Sequence, residues 1–342
     1  MWDAFRSSMV RIAHAIEKSE NEVLQKCCKL DQEKLFSNVK RARKYEAEVT
    51  MTYPKGFEDK AILHQAKVKA AMIKASYSEQ RMKSWEEKPQ HGSYMRQLRD
   101  IGADIKESFG WMNKCFMDPH TESYILAAQE LALFTKYHEK KILKTRGDAT
   151  CRIYRKNDSE ETIYHILAGC DSLAKREYFT RHNAVCKYLH FVICKKYNLP
   201  CGQNWFLHQP KDVIIDQNVE ILYDQVISTD LAVGANRPDL VVKDKIQRKT
   251  FVIDVSCPCD PNIPKSEATK VAKYVGLVGQ LQKMWGFNCI TLPVVVGGLG
   301  AVTNKLKDYL ALIPGCPNIT LCQKITLLGS KKILMDVLSR SR

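Results

Sequence analysis

The stretch that decides the architecture of the second half of the chain is residues 236–256, which read NRPDLVVKDKIQRKTFVIDVS. Two runs rich in β-branched residues flank a polar segment at 243–249, and this pattern predicts two neighbouring strands. Each strand carries one acid, Asp239 and Asp254. Burying a lone carboxylate is unfavourable unless a cation or a hydrogen-bond network compensates it. We therefore predict that the two acids lie at the same end of the strands and form a metal site.

The segment that follows supplies the cations that such a site needs. A helix predicted for residues 265–285 places Lys270, Lys273 and Tyr274 together, away from its apolar face. Two acids followed by a lysine are typical of the PD-(D/E)xK nucleases. Their strict signature has the lysine two residues after the second acid, where this chain has Ser256. A pair of strand-end acids satisfied by ordinary contacts therefore stays open as the alternative on the motif alone.

The chemistry of phosphodiester cleavage gives these residues their roles. Asp239 and Asp254 are predicted to hold a hard divalent cation, Mg²⁺ or Mn²⁺, which activates water and stabilises the pentavalent phosphorus. A lysine near the attacked phosphate orients the water or neutralises developing charge. Lys270 is our first choice for this catalytic lysine, and Lys273 is the second.

Four further residues are predicted to support the reaction. Tyr274 would hydrogen-bond the DNA backbone or position the catalytic lysine. Arg237 would bind a phosphate of the DNA. Asp230 or Glu220 is considered as an additional ligand of the metal or of its water.

The remaining pattern predicts a chain that is helical before residue 150 and mixed after residue 212. Apolar residues recur at helical spacing in three regions, with a break at Tyr53-Pro54-Lys55-Gly56: 1–50, 58–87 and 91–145. The elements expected after residue 212 are a helix through Val219–Val226, an extended segment through Ile227–Val233, the two acid-bearing strands, the lysine-bearing helix and a strand at Thr291–Val296. The order α-β-β-β-α-β predicts an α+β fold in which helices cover a mixed sheet.

Composition points to a polyanionic partner and a reducing compartment. The formal net charge is +15, which is most simply explained by nucleic-acid binding. Thirteen cysteines are scattered without a disulfide framework, and this usage favours free thiols with a metal among them. No stretch approaches the roughly 18–20 apolar residues of a membrane span, and the N-terminus has no apolar signal core. We therefore expect no membrane partner and a nuclear or cytoplasmic location.

A segment rich in cysteine and histidine, 151–201, is the candidate zinc site. Cys151, His165 and Cys170 have the spacing C-x13-H-x4-C, whose last part is that of a zinc knuckle. A complete knuckle would have a second cysteine where this chain has Tyr154, and closed zinc sites are nearly always four-coordinate. The residues considered as the fourth ligand are His182, Cys186, His190 and Cys194. The alternative is a small helical subdomain whose cysteines and histidines only pack.

Several short motifs occur in a fixed order between about residues 78 and 312. The motifs are Glu161–Cys170, Tyr178–Asn183, Asn236–Asp239 and Phe251–Ser256, with others at His91–Leu98, Ser108–Trp111, Thr121–Thr135, Lys273-Tyr274 and Leu292–Val296. Together they resemble the C-terminal part of a non-LTR retrotransposon polyprotein. More specifically, they are similar to the site-specific elements that insert into ribosomal DNA and carry a restriction-like endonuclease after the reverse transcriptase.

The resemblance implies a domain organisation and a reaction. It implies an unassigned basic helical segment at 1–77, a helical linker region at 78–147, a zinc-knuckle-like subdomain at 148–204, a restriction-like endonuclease at 205–315 and a C-terminal helix at 316–342. In the family, the nuclease nicks target DNA, and the freed 3′ hydroxyl primes reverse transcription of the element's RNA. Asp239 and Asp254 match the family's two acids. The polymerase signature Tyr/Phe-x-Asp-Asp does not occur, so we expect no polymerase activity here and a reverse transcriptase portion that is missing or separately encoded.

Three functions are therefore compared. The leading hypothesis is a metal-dependent DNA endonuclease whose basic helices and knuckle hold nucleic acid. The alternative is a decayed or repurposed remnant of such an element that binds nucleic acid without cleaving it. A helical adaptor for proteins is the third hypothesis, and it predicts much weaker salt dependence of binding than several phosphate contacts would give.

Overall fold

The computed structural model describes residues 9–10, 12–13, 15–16, 21–33, 37–50, 66–153 and 159–341. The chain divides into two units, Met1–Gly92 and Ser93–Arg342. Among the described residues, the helices are all too short or too polar to cross a lipid bilayer.

The first unit is helical in its described parts. Val10, Ala13, Ala42 and Ile73 form its small buried apolar core. The helical pattern predicted for this region is confirmed for most of the described residues, with Asn21, Ser37 and Glu87 outside the helices, and the predicted break at 53–56 lies outside the described residues. The helices of this unit whose bounds lie within the described residues are α1 (Glu22–Glu33), α2 (Asn38–Thr50) and α3 (Ala66–Glu86).

The second unit is built on a five-stranded sheet whose strands lie in sequence order. Neighbouring strands are antiparallel except for the last pair, which is parallel. The predicted pair of acid-bearing strands is confirmed, with Leu240 opposite Ile253 in the register. The strands are β1 (Val213–Ile215), β2 (Val219–Tyr223), β3 (Leu240–Asp244), β4 (Lys249–Ser256) and β5 (Asn288–Val295).

Helices surround this sheet. Those that precede it are α4 (Ser93–Asp100), α5 (Ile105–Ser108), α6 (Trp111–Lys114), α7 (Pro119–Gln129), α8 (Lys136–His138), α9 (Asp171–Leu173) and α10 (Phe179–Lys196), with π-helical turns at Glu139–Leu143, His165–Gly169 and Ala174–Tyr178. Those that follow β4 are α11 (Ile263–Lys273), α12 (Val275–Trp285), α13 (Asn304–Leu312) and α14 (Ile319–Leu338), with short 3-10 turns at Asp260–Asn262 and Ser339–Ser341. The predicted combination of helices with a mixed sheet is confirmed.

The side chains of β4 explain why its sequence is almost continuously apolar. Ile253 and Val255 pack into one core with helices α10, α13 and α14. Val252 points to the other face and packs with Tyr274 and the α12 side chains. Because helices cover both faces, a strand in the middle of the sheet needs apolar residues in both directions. Asp254 is the one charged residue among the buried side chains of this strand, and Thr250 is the other polar one.

Three predicted elements differ from the structure. The helix predicted through Val219–Val226 is wrong, because residues 219–223 pair with β3 as strand β2. The extended segment predicted at 227–233 is an irregular loop, tied at its start by the Ile227 amide, which donates to the Asn236 carbonyl at 2.8 Å. The single helix predicted at 265–285 is two helices, because the backbone leaves the helical conformation at Tyr274 (φ −105°, ψ 9°).

A buried arginine connects distant parts of the second unit. Arg181 of α10 donates to the Leu167 carbonyl at 2.8 Å and to the Cys257 carbonyl at 3.0 Å. It also donates to Ser330 Oγ of α14 at 2.8 Å. The adjacent Gly329 leaves room for this side chain, because a Cβ there would lie 2.7 Å from Arg181 Cγ.

Candidate functional site

The two sequence-predicted acids lie at one end of the β3–β4 pair. Asp239 is the residue before β3, and the register from Leu240 and Ile253 places it next to Asp254 of β4. The backbone amide of Val255 donates to Asp239 Oδ2 at 2.6 Å, which ties one acid to the strand that carries the other. The hairpin register therefore brings the two carboxylates to the same place.

Asp254 is a buried carboxylate, since its side chain is only 3 % exposed. The Tyr274 hydroxyl donates to Asp254 Oδ1 at 2.7 Å. The Lys270 ammonium is in contact with Oδ2, and Lys273 Nζ lies 3.8 Å from Oδ1. All three residues predicted on the following helix thus converge on one carboxylate. Burial first, and then the charge of Asp254, raise the pKa of Tyr274, so this hydroxyl stays protonated and donates.

The two lysines are not equivalent. Lys270 contacts the acid directly, and its side chain is 20 % exposed. Lys273 is 41 % exposed, lies farther from the acid and stands over the Tyr274 ring at 4.6 Å from the centroid. Lys270 is therefore the closer of the two to Asp254, and the assignment of the catalytic lysine stays a prediction.

His182 of α10 completes the surroundings of Asp239. Its Nε2 lies 3.1 Å from Asp239 Oδ2, and its Nδ1 lies 2.9 Å from the side-chain oxygen of Asn183. Burial opposes charge on both partners, but their hydrogen bond and mutual attraction outweigh it. As a result, the pKa of His182 is raised and the pKa of Asp239 is lowered, which describes an imidazolium–carboxylate pair.

This role of His182 was missed from sequence, where it was only a candidate fourth zinc ligand. The sequence carries no local signal for it, because 57 residues separate His182 from Asp239 and only the packing of α10 on the sheet brings them together. Cys186, one turn later, joins them in a group whose ligand atoms lie within 4.8 Å of one another.

The supporting residues predicted from sequence are more dispersed. The Arg237 side chain forms a two-point ion pair with Asp224, at 2.9 and 3.0 Å, on the surface beside the acids. Its carbonyl accepts from the Tyr274 hydroxyl at 3.1 Å. Glu220 of β2 lies opposite Lys243 of β3, 3.7 Å from the lysine ammonium. It is three residue pairs along the β2–β3 ladder from the end that lies next to Asp239. Asp230 is exposed in the loop after β2.

Cys151, His165 and Cys170 do come together in the structure. Their ligand atoms lie within 4.8 Å of one another, and the two sulfurs are 4.0 Å apart. Burial lowers the pKa of His165, whose buried Nε2 has no hydrogen-bond partner among the described residues. Burial and the neighbouring Cys151 raise the pKa of Cys170 to about 11, so a cation is what would hold the Cys170 sulfur as a thiolate. This group is able to hold a metal ion.

The fourth ligand of this group is not among the residues considered for it. His182 and Cys186 belong to the cluster at Asp239, and His190 and Cys194 lie with His208 in a third cluster. Tyr154, which stands in the place of a knuckle cysteine, lies outside the described residues.

Comparison with known proteins adds no identity to this geometry. No protein-family model matches the chain, and no curated protein matches it in sequence.

Proposed function

We propose that the chain is a divalent-metal-dependent DNA endonuclease of the restriction-like type, which nicks target DNA and leaves a 3′ hydroxyl. The observation that carries this proposal is Asp254, a buried carboxylate held by Lys270 and Tyr274 beside Asp239. A strand core has no structural need for an acid, so such a cluster at strand ends is typical of functional sites. The element order is compatible with the proposal, since β2–β4, α11–α12 and β5 follow one another as β-β-β-α-α-β, with β1 as an additional edge strand between α10 and β2.

The residues suit a hard cation, because carboxylate oxygens are the ligands that Mg²⁺ and Mn²⁺ prefer. When bound by Asp239 and Asp254, the ion would activate the attacking water and stabilise charge on phosphorus. Lys270 neutralises the Asp254 carboxylate in this structure. If Asp254 held a metal ion instead, the Lys270 ammonium would be available to a phosphate oxygen of the DNA. The Tyr274 hydroxyl would hold the Asp254 carboxylate in its orientation. This hydroxyl is itself fixed by its contact with the Arg237 carbonyl in the loop before β3.

Asp239 is positioned by partners that leave its orientation little freedom. Val255 and His182 both occupy Oδ2, which fixes the carboxylate plane and keeps the group ionised. Fixing a ligand through its own hydrogen-bond partners is how metal sites generally gain precision. His182 therefore acts in this proposal as a positioning residue.

The wider assignment rests on the sequence motifs. The proposed source is the C-terminal region of a ribosomal-DNA-inserting non-LTR retrotransposon, acting in the nucleus on target DNA with the element's RNA. The charge of +15 supports a nucleic-acid partner. The Cys151, His165 and Cys170 group would bind zinc and help to hold that partner.

The test is nicking of supercoiled plasmid in Mg²⁺ or Mn²⁺, comparing the parent with Asp239→Asn and Asp254→Asn. Asp308→Asn is the matched control, since Asp308 is an exposed acid of α13. We expect both site variants to lose at least about a hundred-fold in nicking rate, and the control to keep it. Extension of the nick by a DNA polymerase would report the 3′ hydroxyl.

Two results decide against the proposal. Equal nicking by the parent and both site variants would assign the activity to a contaminant. Salt-sensitive DNA binding without any nicking would favour the alternative, a nucleic-acid-binding remnant.

A further inference from the structure

A second cluster of histidine and cysteine side chains is buried between α10 and the loop that follows it. His190 and Cys194 lie one turn apart on α10, and His208 returns to them from the loop. His190 Nδ1 is 2.7 Å from His208 Nε2 and 3.4 Å from Cys194 Sγ. The exposed fractions of His190, Cys194 and His208 are 0 %, 0 % and 3 %.

These polar groups are poorly compensated by the protein itself. Burial first, and then His208, lower the pKa of His190 to about 4, and burial lowers the pKa of His208. Both rings are therefore neutral, and a single proton is shared between the two facing nitrogens. The outer nitrogen of His190, Nε2, is buried without a hydrogen-bond partner of ordinary geometry among the described residues, and only a contact with the Lys211 backbone partly offsets the effect of burial on this ring. Buried polar groups left in this state destabilise the folded protein.

The protonation of the pair can be assigned from the loop. The Gly202 amide donates to His208 Nδ1 at 3.3 Å, so in this state the His208 proton is on Nε2 and points at His190. A metal ion on His208 Nε2 would require that proton to move to Nδ1, where it would face the Gly202 amide, so this long contact is the one that must relax. The loop is tight at this point, because a Cβ on Gly202 would lie 3.0 Å from the His208 backbone.

A fourth donor, Cys201, lies in the following loop; it is outside the group of three but packs against the same apolar core as Cys194. The Cys201 thiol, in the same loop, adds to burial in raising the pKa of Cys194 to about 12. The four residues have the spacing H-x3-C-x6-C-x6-H. Two nitrogens and two sulfurs are a common ligand set of structural zinc. With Zn–N bonds of about 2.0–2.1 Å, tetrahedral geometry separates two nitrogens by roughly 3.3 Å, so the 2.7 Å contact must open only slightly.

We infer that His190, Cys194 and His208, with Cys201 as the fourth ligand, form a structural zinc site that fastens residues 197–210 to α10. The site is separate from the Cys151, His165 and Cys170 group and from the acids of the proposed nuclease centre. The site would hold the edge of the sheet in place, because this loop leads directly into the edge strand β1.

The first test is the zinc content of the purified full chain by mass spectrometry of the metal. We expect Cys194→Ser with His208→Asn to lose one zinc per chain relative to the parent. Cys289→Ser is the matched control, since it removes a buried thiol that belongs to none of the three metal-capable groups and should leave the zinc content unchanged. An unchanged zinc content in the double variant would overturn the inference.

The second test uses the unmodified chain and so does not depend on the variants folding. Cys201 is only partly buried, so its rate of alkylation can be followed by peptide mass spectrometry. Zinc should slow alkylation of Cys201 and Cys194 at least ten-fold, and a chelator should restore it. Equal rates in saturating zinc and in chelator would contradict the site. Neither readout depends on nicking, so this inference and the proposed nuclease can fail separately.

Discussion

Removing the Lys270 ammonium should destabilise the second unit unless Asp254 is neutralised in the same molecule. Lys270→Met leaves a carboxylate that is 3 % exposed without its direct counter-ion. Breaking a buried ion pair from one side typically costs about 3–5 kcal/mol. We expect the lower end, about 3 kcal/mol, because the Tyr274 hydroxyl stays at 2.7 Å and Lys273 at 3.8 Å.

The rest of the double-mutant cycle follows from the same geometry. Asp254→Asn alone should cost only about 1 kcal/mol, since Lys270 is partly exposed and its ammonium can turn to water. The combination of Lys270→Met with Asp254→Asn should fall within about 1 kcal/mol of the parent, because no buried charge remains.

The measurement must isolate the second unit, because unfolding of a chain with two units does not give a single transition. Hydrogen exchange of β4 peptides across a urea series reports the opening free energy of the strand itself. Saturating Mg²⁺ adds a functional control. An ion present at one hundred times its dissociation constant stabilises the folded state by about 2.7 kcal/mol. Mg²⁺ should therefore restore most of the stability lost in Lys270→Met and none of it in the double variant.

Two outcomes would refute this reasoning. A loss below about 1 kcal/mol in Lys270→Met would mean that Asp254 does not depend on that cation. Failure of Asp254→Asn to rescue it would mean that the loss comes from packing of the lysine stem.

Three further perturbations test other contacts of the same unit. Tyr94→Phe removes the hydroxyl that donates to Asp260 Oδ1 at 3.1 Å and should cost about 1–2 kcal/mol at pH 7 by urea-dependent exchange. Burial raises the pKa of Asp260, so the folded state favours its protonated form, and this cost should shrink as pH falls through that raised pKa. Trp111→Ala leaves a cavity at a fully buried position and should lower the free energy of unfolding by about 3–5 kcal/mol. Trp111→Phe should lower it by much less, and equal losses in the two variants would show that cavity size does not determine the effect. Arg237→Ala should change stability by under about 1 kcal/mol and lower the salt slope of DNA binding by roughly 0.9, whereas Arg248→Ala, in the turn at the far end of the β3–β4 pair, should leave the slope unchanged.

The strands that carry the acids were predictable because their signal is local. The alternation and the β-branched residues of 240–256 identify a strand pair, and the pairing register then puts the ends together. The segment at 219–226 was misread as a helix because its short apolar run fits both periods. Its pairing with β3, a long-range contact, is what makes it a strand.

The missed site residues share a physical reason. His182 reaches Asp239, and His208 reaches His190, only through the packing of α10 against the sheet and its own following loop. Sequence spacing carries no signal for contacts that depend on how one helix is oriented in the fold. Spacing did identify Cys151, His165 and Cys170, since two of the three lie within one short turn. The break at Tyr274 was missed because the helical spacing of apolar residues continues through it, and the contact of its hydroxyl with Asp254 is long-range.

Because of Arg181, the second unit is difficult to divide into separate segments that could be transferred to other proteins. Its guanidinium needs acceptors at Leu167, Cys257 and Ser330, three places that a modular description would assign to three different domains. A recombinant piece cut at residue 315 would keep the cation and lose both Ser330 and the α14 surface that covers it. Grafting the strand pair onto another scaffold would separate the same partners. Any lineage that shortens or shuffles this chain must therefore keep residues 165–330 as a single block or replace the arginine first.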